Sequence, residues 1–206
     1  MNGARATSFG TRGVTWVDRF GTWLSRRAIL AAIKKRKDLR VLELGCGFHA
    51  RNLQSIEDRA QSLTGVDFNV APELAERPKF EVVASTIDEA LRQLAGRKFD
   101  LIMIISVLEH LEEPLRVLRE CHSMCAPQGV LMINVPTWSG KVFLEFAAFK
   151  LGVSPAEEMD DHKMYYSKRD LWPLMVKAGY RPSQIRLRYH KFGLNLFAVG
   201  TRAEDA

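Results

Sequence analysis

The sequence has only three cysteines and no apolar run long enough to cross a bilayer. A membrane-spanning helix needs about 20 apolar residues, whereas the most apolar stretch, Ile102–Val107, has the length of a buried strand. The first residues, MNGARATSFGTRG, lack the apolar segment of a signal peptide. We therefore expect a globular cytoplasmic protein, and only peripheral membrane contact stays open.

The few cysteines also argue against a disulfide framework or a metal centre. Cys46, Cys121 and Cys125 are an odd set without framework spacing. Cys121, His122 and Cys125 fall on a helical apolar pattern, which predicts that the cysteines face the core. One helix turn offers too few ligands for a closed metal site, so no metal is expected.

Repeats and low-complexity segments are lacking as well, and the charge excess is modest. The chain carries 30 basic and 24 acidic side chains, a net charge of +6. Much of the excess lies between Arg26 and Arg40, and it predicts a solvated helix face. Basic and aromatic residues are not interleaved as in proteins that stack bases. A nucleic-acid partner is therefore not expected, and the sequence does not define an oligomeric state.

What the sequence does contain is an alternation of strands and helices. Residues 1–37 predict an N-terminal helical extension, with helix over Trp16–Lys37. The predicted strands are Arg40–Leu44, Ser62–Asp67, Lys79–Ala84, Phe99–Ser106, Gly129–Val135, Arg181–Tyr189 and Leu194–Thr201. The predicted helices are Ala50–Arg59, Val70–Glu76, Ile87–Leu94, Pro114–Cys125, Gly140–Leu151 and the segment from Ser167 to Gly179. This order predicts an α/β fold with a Rossmann-like, doubly wound, mostly parallel sheet that a C-terminal antiparallel hairpin closes.

A glycine-rich turn follows the first predicted strand and marks a ligand site. In Val41–Ala50 the glycines let the backbone turn sharply beside a ligand. Asp67 ends the second strand, 20 positions after Gly47, where a carboxylate can accept hydrogen bonds from ribose hydroxyls. The turn also fits the G-x-G-x-x-A pattern of dinucleotide-binding proteins. Glu43 argues against NAD, because an acid there repels a pyrophosphate and suits a cationic ligand.

The motifs together resemble the class I S-adenosylmethionine-dependent methyltransferases, in particular the quinone-biosynthesis type. The resemblance covers about Arg40 to Thr201. The segments that carry it are Glu43–Gly47, Gly65–Asp67, Phe99–Ile102, Ser106–Leu111, Gly129–Pro136, Asp161–Ser167 and Ala178–Tyr180. It implies a methyltransferase domain over residues 38–206, in which residues 136–166 form a lid or substrate-binding insertion.

The resemblance implies S-adenosylmethionine as the cofactor. The residues that it assigns to the cofactor, directly or by their place beside these motifs, are Glu43, Gly45, Cys46, Gly47, Asp67, Phe68, Ser85, Thr86, Ile87 and Ser106. Loop amides at the start of the next helix are expected to meet the carboxylate of the methionine part. The chain departs from the family pattern at His49, where a third glycine is common, and at the third strand, which lacks an acid near the adenine.

The acceptor side is expected beyond the fourth strand. His110 is the candidate general base, since an unperturbed imidazole titrates near neutral pH, although a packing role is an open alternative. Glu109 is expected to orient His110 or the cofactor. His162, Tyr165 and Tyr166 either line an acceptor pocket or anchor their loop to the sheet. Phenylalanines within Gly140–Leu151 form either a lid or part of the core.

These observations predict methyl transfer to a small-molecule acceptor, on the oxygen of a phenol, a sugar or a lipid-linked compound. Two alternatives stay open. One is an NAD-binding oxidoreductase, and the other is a catalytically silent nucleotide-binding regulatory protein.

Overall fold

The computed structural model describes residues 16–34, 36–142 and 163–204, with residues 16–22 described by their backbone alone. The acidic loop Gly152–His162, and His162 with it, lies outside the described residues. The same holds for most of Gly140–Leu151 and for residues 1–13 of the predicted N-terminal extension. None of the helices in the described ranges is long and apolar enough to cross a membrane.

The described residues form one seven-stranded sheet in the order β3-β2-β1-β4-β5-β7-β6. The strands are β1 (Leu39–Leu44), β2 (Ala60–Asp67), β3 (Phe80–Ala84), β4 (Phe99–Ile105), β5 (Cys125–Pro136), β6 (Ile185–His190) and β7 (Asn195–Thr201). The first five strands pair in parallel, and β7 pairs antiparallel with both β5 and β6. The predicted α/β fold with a C-terminal antiparallel hairpin is thus confirmed.

Helices cover both faces of the sheet. They are α1 (Trp16–Ile33), α2 (Arg51–Gln54), α3 (Ile87–Gln93), α4 (Pro114–Met124) and α5 (Lys168–Lys177). Residues of β1, β4 and β5 alternate between two core clusters, one shared with α3, α4 and α5 and the other with α1 and α2. The central strands are therefore largely apolar, because both of their faces are covered. The three cysteines lie in these clusters, which confirms the core positions that helical spacing predicted for Cys121 and Cys125.

Local sequence signals determine where several helices begin. Pro114 occupies the first turn of α4, where its missing N–H costs no hydrogen bond. Ser167 and Asp170 form the predicted capping box of α5, and Thr86 forms one with Glu89 at α3.

Two predicted helices are wrong in length. The helix predicted over Ala50–Arg59 ends at Gln54, and a separate 3-10 turn follows at Glu57–Arg59. The hydroxyl of Ser55 donates to the carbonyl of Asn52 at 2.7 Å, and this local bond competes with the helical pattern. The helix predicted over Val70–Glu76 is a 3-10 turn at Pro72–Leu74.

The ends of two strands also differ from the prediction. β5 begins at Cys125, directly after α4, four residues before the predicted start at Gly129. The strand predicted from Arg181 begins at Ile185, because Pro182 opens a 3-10 turn that runs to Gln184.

Candidate cofactor and acceptor site

The candidate site lies beyond the carboxyl ends of β1 and β4. The chain runs from β1 to β2 and β3 on one side, and then returns to place β4 on the other side of β1. Such a switch point leaves a crevice where ligands of doubly wound sheets bind. Glu43 and Met103 are neighbours across this β1–β4 boundary.

The glycine-rich turn closes over the end of β2. Gly45 has φ +73°, and a Cβ atom at this position would come within 2.2 Å of the Val107 side chain. The amides of Gly45 and Cys46 both donate to the carbonyl of Val66, at 2.8 and 3.0 Å. Glycine is therefore required at position 45 both by the backbone conformation and by the close approach of the segment after β4.

Asp67 joins the turn to the second strand. Its Oδ2 accepts from the amide of Gly47 and its Oδ1 from the amide of Phe68, each at 2.8 Å. These two bonds hold both oxygens of the carboxyl group in place. The expectation that the turn amides meet a ligand carboxylate is wrong for Gly45, Cys46 and Gly47, because all three donate within the protein.

Glu43 is a fully buried carboxyl group under this turn. Its Oε1 accepts from Asn52 Nδ2 at 2.7 Å. Its Oε2 is buried and makes no hydrogen bond of normal geometry with the described residues. The backbone amide of Leu53 is close enough to lower the pKa of the carboxyl group slightly. Burial, with a smaller contribution from Asp67, raises the pKa of Glu43 to about 8. Burial also raises the pKa of the neighbouring Cys46 thiol, which keeps it protonated.

The end of β3 borders the same crevice. The amide of Ser85 donates to the carbonyl of Asp67 at 3.1 Å, which holds the two strand ends together. Thr86 caps α3, and its own amide donates to Glu89, so this amide is committed to the helix. The adenine contact expected from the Thr86 amide is therefore not supported, whereas Ser85 and Ile87 remain candidates. Phe68 exposes 47% of its surface beside Asp67.

The segment after β4 forms the opposite wall. Ser106 adopts a left-handed backbone (φ +56°) while its amide donates to the carbonyl of Asn134 at 2.8 Å. Strained backbones of this kind cluster at functional sites. Glu109 and His110 follow in a 3-10 turn, Glu109 buried and His110 half-buried. This turn places His110 directly after β4, at the carboxyl edge of the sheet, and its role as a base stays a prediction.

Backbone hydrogen bonds attach residues 163–166 to this wall. The carbonyl of Glu109 accepts from the amides of Lys163 and Met164, at 2.9 and 3.3 Å. Tyr166 is fully buried, its amide donates to the carbonyl of Pro136, and its hydroxyl donates to the carbonyl of Leu108 at 3.4 Å. Of the two roles expected for Tyr166, the geometry supports the anchor and not the acceptor contact.

Tyr165 differs from its neighbour because it packs against an exposed aromatic ring. Its ring lies 5.6 Å from that of Trp138, which exposes 57% of its surface at the end of β5. Tyr165 is itself only 6% exposed, so of the two rings Trp138 offers the apolar surface, and an acceptor contact by Tyr165 remains an expectation. His162 lies outside the described residues.

Sequence reasoning missed two side-chain amides at this site, half-buried Asn52 and buried Asn134. Asn52 holds Glu43 in place. Asn134 lies in the apolar strand β5, is 1% exposed, and neither polar atom of its side chain has a hydrogen-bond partner among the described residues. Buried polar groups are normally paired. A polar residue inside the apolar run LMINVP was the available signal for Asn134.

A positively charged depression borders the glycine-rich turn on the side of α1. It has a volume of about 500 Å³ and is lined by Arg26, His49, Arg51, Gln54 and Ser55. Neither Arg26 nor Arg51 forms an ion pair with the residues that the structure describes. His49, which stands in place of the family's third glycine, is half-buried and packs edge-on against Phe48 at 4.9 Å.

The strand order, the glycine-rich turn and the acid at the end of β2 define the class as a Rossmann-like protein with a nucleoside-binding crevice. Residues 16–185 match the family described as the methyltransferase domain. The chain therefore belongs to that family, and the resemblance to class I methyltransferases is confirmed.

Curated relatives are similar over part of their length. The chain is 27% identical over 129 residues to the ubiquinone biosynthesis O-methyltransferase of Pseudomonas aeruginosa (strain LESB58), covering 59% of this chain and 52% of the relative. It is 29% identical over 128 residues to the enzyme of that name from Pseudomonas syringae pv. tomato, with the same coverage. The chain thus spans about half the length of these relatives.

Solved structures share the fold at low sequence identity. The magnesium protoporphyrin IX methyltransferase of Synechocystis PCC 6803, solved with bound SAH, has a TM-score of 0.64 at 18% identity, with 95% of this chain and 91% of that chain covered. An SAM-dependent methyltransferase from Archaeoglobus fulgidus has a TM-score of 0.61 at 17% identity, with 91% and 100% covered. These similarities establish the fold.

Proposed function

We propose that this protein transfers a methyl group from S-adenosylmethionine to an oxygen of a small-molecule acceptor. The observation that carries the proposal is the pair of acids at the switch point. Glu43 offers a buried oxygen without a normal hydrogen bond, and Asp67 is held by two backbone amides at the end of the next strand. This pair suits a ligand that combines a positive charge with ribose hydroxyls, and it disfavours a pyrophosphate.

The residues of the crevice fit this cofactor. Asp67 would hold the ribose hydroxyls, Glu43 would face the positively charged part, and Ser85 and Ile87 would border the adenine. The exposed ring of Phe68 is available for stacking on the base. When bound, S-adenosylmethionine would supply the methyl group of its sulfonium. The sulfur that loses this methyl group becomes a neutral thioether.

The carboxylate of the cofactor needs a partner outside the glycine-rich turn. The amides of Gly45, Cys46 and Gly47 are engaged within the protein. His49 and Arg51 follow the turn directly and line the depression that also contains Arg26. We propose that Arg51 provides the positive charge for this carboxylate, since a guanidinium matches carboxylate geometry.

His110 is the proposed general base. An acceptor hydroxyl must lose its proton as its oxygen attacks, and a neutral imidazole at the crevice can accept that proton. The turn that contains His110 is fixed through Glu109, whose carbonyl binds the amides of Lys163 and Met164. These bonds hold the turn that carries His110 directly after β4.

An oxygen acceptor is favoured by the named relatives. The curated proteins with 27% and 29% identity are both named as O-methyltransferases of ubiquinone biosynthesis. The exposed ring of Trp138, which packs against buried Tyr165, suits a ring or chain of similar polarity. We propose a phenol, a sugar or a lipid-linked compound as the acceptor.

The test is calorimetric titration with S-adenosylmethionine, S-adenosylhomocysteine and NAD, for the wild type and for Asp67→Asn. We expect binding of the first two and at least about tenfold weaker binding by Asp67→Asn, because a lost charge-assisted hydrogen bond costs about 1.5 kcal/mol. Asp58→Asn, an exposed change outside the crevice, is the control.

Each other outcome of this titration contradicts part of the proposal. Binding of NAD alone would contradict the cofactor. Unchanged affinity in Asp67→Asn would remove Asp67 from the site. Cofactor binding without methyl transfer to any member of a phenol, sugar and lipid panel would favour the silent regulatory protein.

A further inference from the structure

The hairpin between β6 and β7 turns at the same edge of the sheet as the segment after β4. Asn195, the first residue of β7, pairs with Pro136, the last residue of β5. The hairpin tip, Lys191–Gly193, therefore lies at the carboxyl edge of the parallel strands. This is the edge from which Glu109 and His110 also extend.

Hydrogen bonds join the hairpin tip to the segment that follows β5. Thr137 donates from its amide to the carbonyl of Leu194 at 3.0 Å, and from its hydroxyl to the carbonyl of Gly193 at 2.7 Å. A Cβ at Gly140 would lie 2.2 Å from the Leu194 carbonyl oxygen, so the two segments touch directly. The position of the tip relative to the crevice is thus determined by several independent contacts.

The backbone of the hairpin tip is strained. Lys191, Phe192 and Gly193 are consecutive residues with φ of +50°, +59° and +86°. The left-handed region is unfavourable for lysine and phenylalanine, which have a Cβ atom. Such strain persists only where surrounding contacts impose it, and it is frequent at ligand-binding sites. The strain here determines the direction in which the Lys191 side chain leaves the backbone.

The amine of Lys191 is half-buried and lacks a counter-ion at bonding distance. Within the described residues its Nζ forms no hydrogen bond or ion pair. Burial lowers the pKa of Lys191, and the charge of the Glu109 carboxylate opposes this effect. The nearby ammonium of Lys163 is paired with Glu112 instead. A desolvated ammonium without a bonded partner gains free energy when an anionic oxygen binds to it.

We propose that Lys191 binds an anionic oxygen of the methyl acceptor, a carboxylate or a phosphate, beside His110. This inference rests on the proposed function. The neighbouring surfaces agree with such a ligand, because Phe192 exposes 90% of its surface and Trp138 57% at the same edge. An acceptor with an aromatic or apolar body and one negative group matches this combination.

Competition labelling of the intact protein tests this assignment without knowledge of the acceptor. The rate at which trace acetic anhydride modifies Lys191 is measured by mass spectrometry in benzoate, in inorganic phosphate and in benzamide, the neutral match of benzoate. An anion at about ten times its Kd leaves about a tenth of the amine free, so we expect about tenfold slower labelling. Exposed Lys177, at the far end of α5, is the internal control.

The outcomes distinguish an acceptor with a carboxylate from an acceptor with a phosphate. Protection by benzoate indicates a carboxylate acceptor, and protection by phosphate indicates a phosphorylated one. Protection by neither anion, or equal protection by benzamide, would overturn the assignment. Calorimetry on Lys191→Met should show loss of anion binding, and Lys191→Arg should retain it. Retained binding by Lys191→Met would also overturn the assignment.

Failure of the proposed function can be told apart from failure of this inference. Binding of S-adenosylhomocysteine by the wild type reports on the cofactor site, and we expect Lys191→Met to leave it unchanged. If the wild type does not bind S-adenosylhomocysteine, the proposed function fails, while labelling with and without the anions still reports on Lys191.

Discussion

The two halves of the crevice satisfy their polar groups in different ways. In the cofactor half, Gly45–Gly47 with Asp67, the backbone amides donate within the protein and both carboxylate oxygens of Asp67 accept from amides. In the acceptor half, Ser106–His110 with the hairpin tip, Lys191 has no bonded counter-ion among the described residues and Phe192 is largely exposed.

This difference indicates which half is preorganised. The cofactor half is held in one geometry by its own hydrogen bonds, so binding there needs little further ordering. The acceptor half retains strain and exposed apolar surface, which a ligand can cover. We therefore expect substitutions in the first half to affect stability and cofactor affinity together. Substitutions in the second half should affect turnover and acceptor binding with little loss of stability.

The largest effect is expected from Gly45→Ala, which would break the turn itself. Its Cβ would approach Val107 to 2.2 Å in a backbone with φ +73°, so we expect a loss of about 3 kcal/mol in unfolding free energy. Gly96→Ala is the matched control, because φ is +82° there and nothing lies within 4 Å; we expect about 1 kcal/mol. Urea denaturation measures both, and equal losses would contradict the close approach of Val107.

The next largest effect should come from His110→Gln in the acceptor half. Removal of a general base lowers turnover by about 10²- to 10⁴-fold, while the affinity for S-adenosylhomocysteine should stay the same. Calorimetry and a methyl-transfer assay with an identified acceptor measure the two quantities. Full turnover in the variant would leave His110 with only a packing role.

The raised pKa of Glu43 predicts opposite pH dependences for the stability of the protein without cofactor and for its affinity for the cofactor. The pKa of Glu43 is raised from 4.5 to about 8 in the folded protein. Between these two pH values the folded protein therefore keeps a proton on Glu43 that the unfolded chain has released. The free energy of unfolding should therefore fall as pH rises from about 4.5 to about 8. Affinity for S-adenosylmethionine should rise over the upper part of this range, since its positive charge favours the ionised carboxylate.

Glu43→Gln is the control for this pH dependence. Denaturation and calorimetry between pH 5 and 8 should show that the variant lacks the Glu43 contribution to both slopes. The same slopes in the variant and the wild type would assign the pH dependence to another group.

The smallest effect is expected from Arg51→Gln, at the border of the cofactor half. We expect about fivefold weaker binding of S-adenosylhomocysteine, since the side chain is half-buried and its contribution partly screened. Binding of 5′-methylthioadenosine, which lacks the amino-acid carboxylate, should not change. Arg92→Gln on α3 serves as the exposed control. Equal weakening of both ligands would show that Arg51 does not act through the carboxylate.

The sequence by itself determined the order of elements and the cofactor half. Alternating apolar strands and helices predicted the parallel sheet, and the pair of strands after Gly179 predicted the antiparallel hairpin. The spacing of Gly47 and Asp67 placed them together, because both follow the carboxyl ends of strands that turned out to be adjacent. Such features depend on local patterns and on general rules for parallel sheets, which a single sequence can reveal.

The acceptor half was decided by the tertiary structure. The role of Lys191 depends on the hairpin returning to Thr137, 56 residues from Gly193 in the chain. The burial of Glu43, which raises its pKa, depends on Asn52 and on the turn that covers it. The left-handed backbone of Ser106, and the buried amide of Asn134 that finds no hydrogen-bond partner among the described residues, leave little trace in the sequence. Burial and strain are properties of the environment that distant segments create together, so residue type and spacing alone do not determine them.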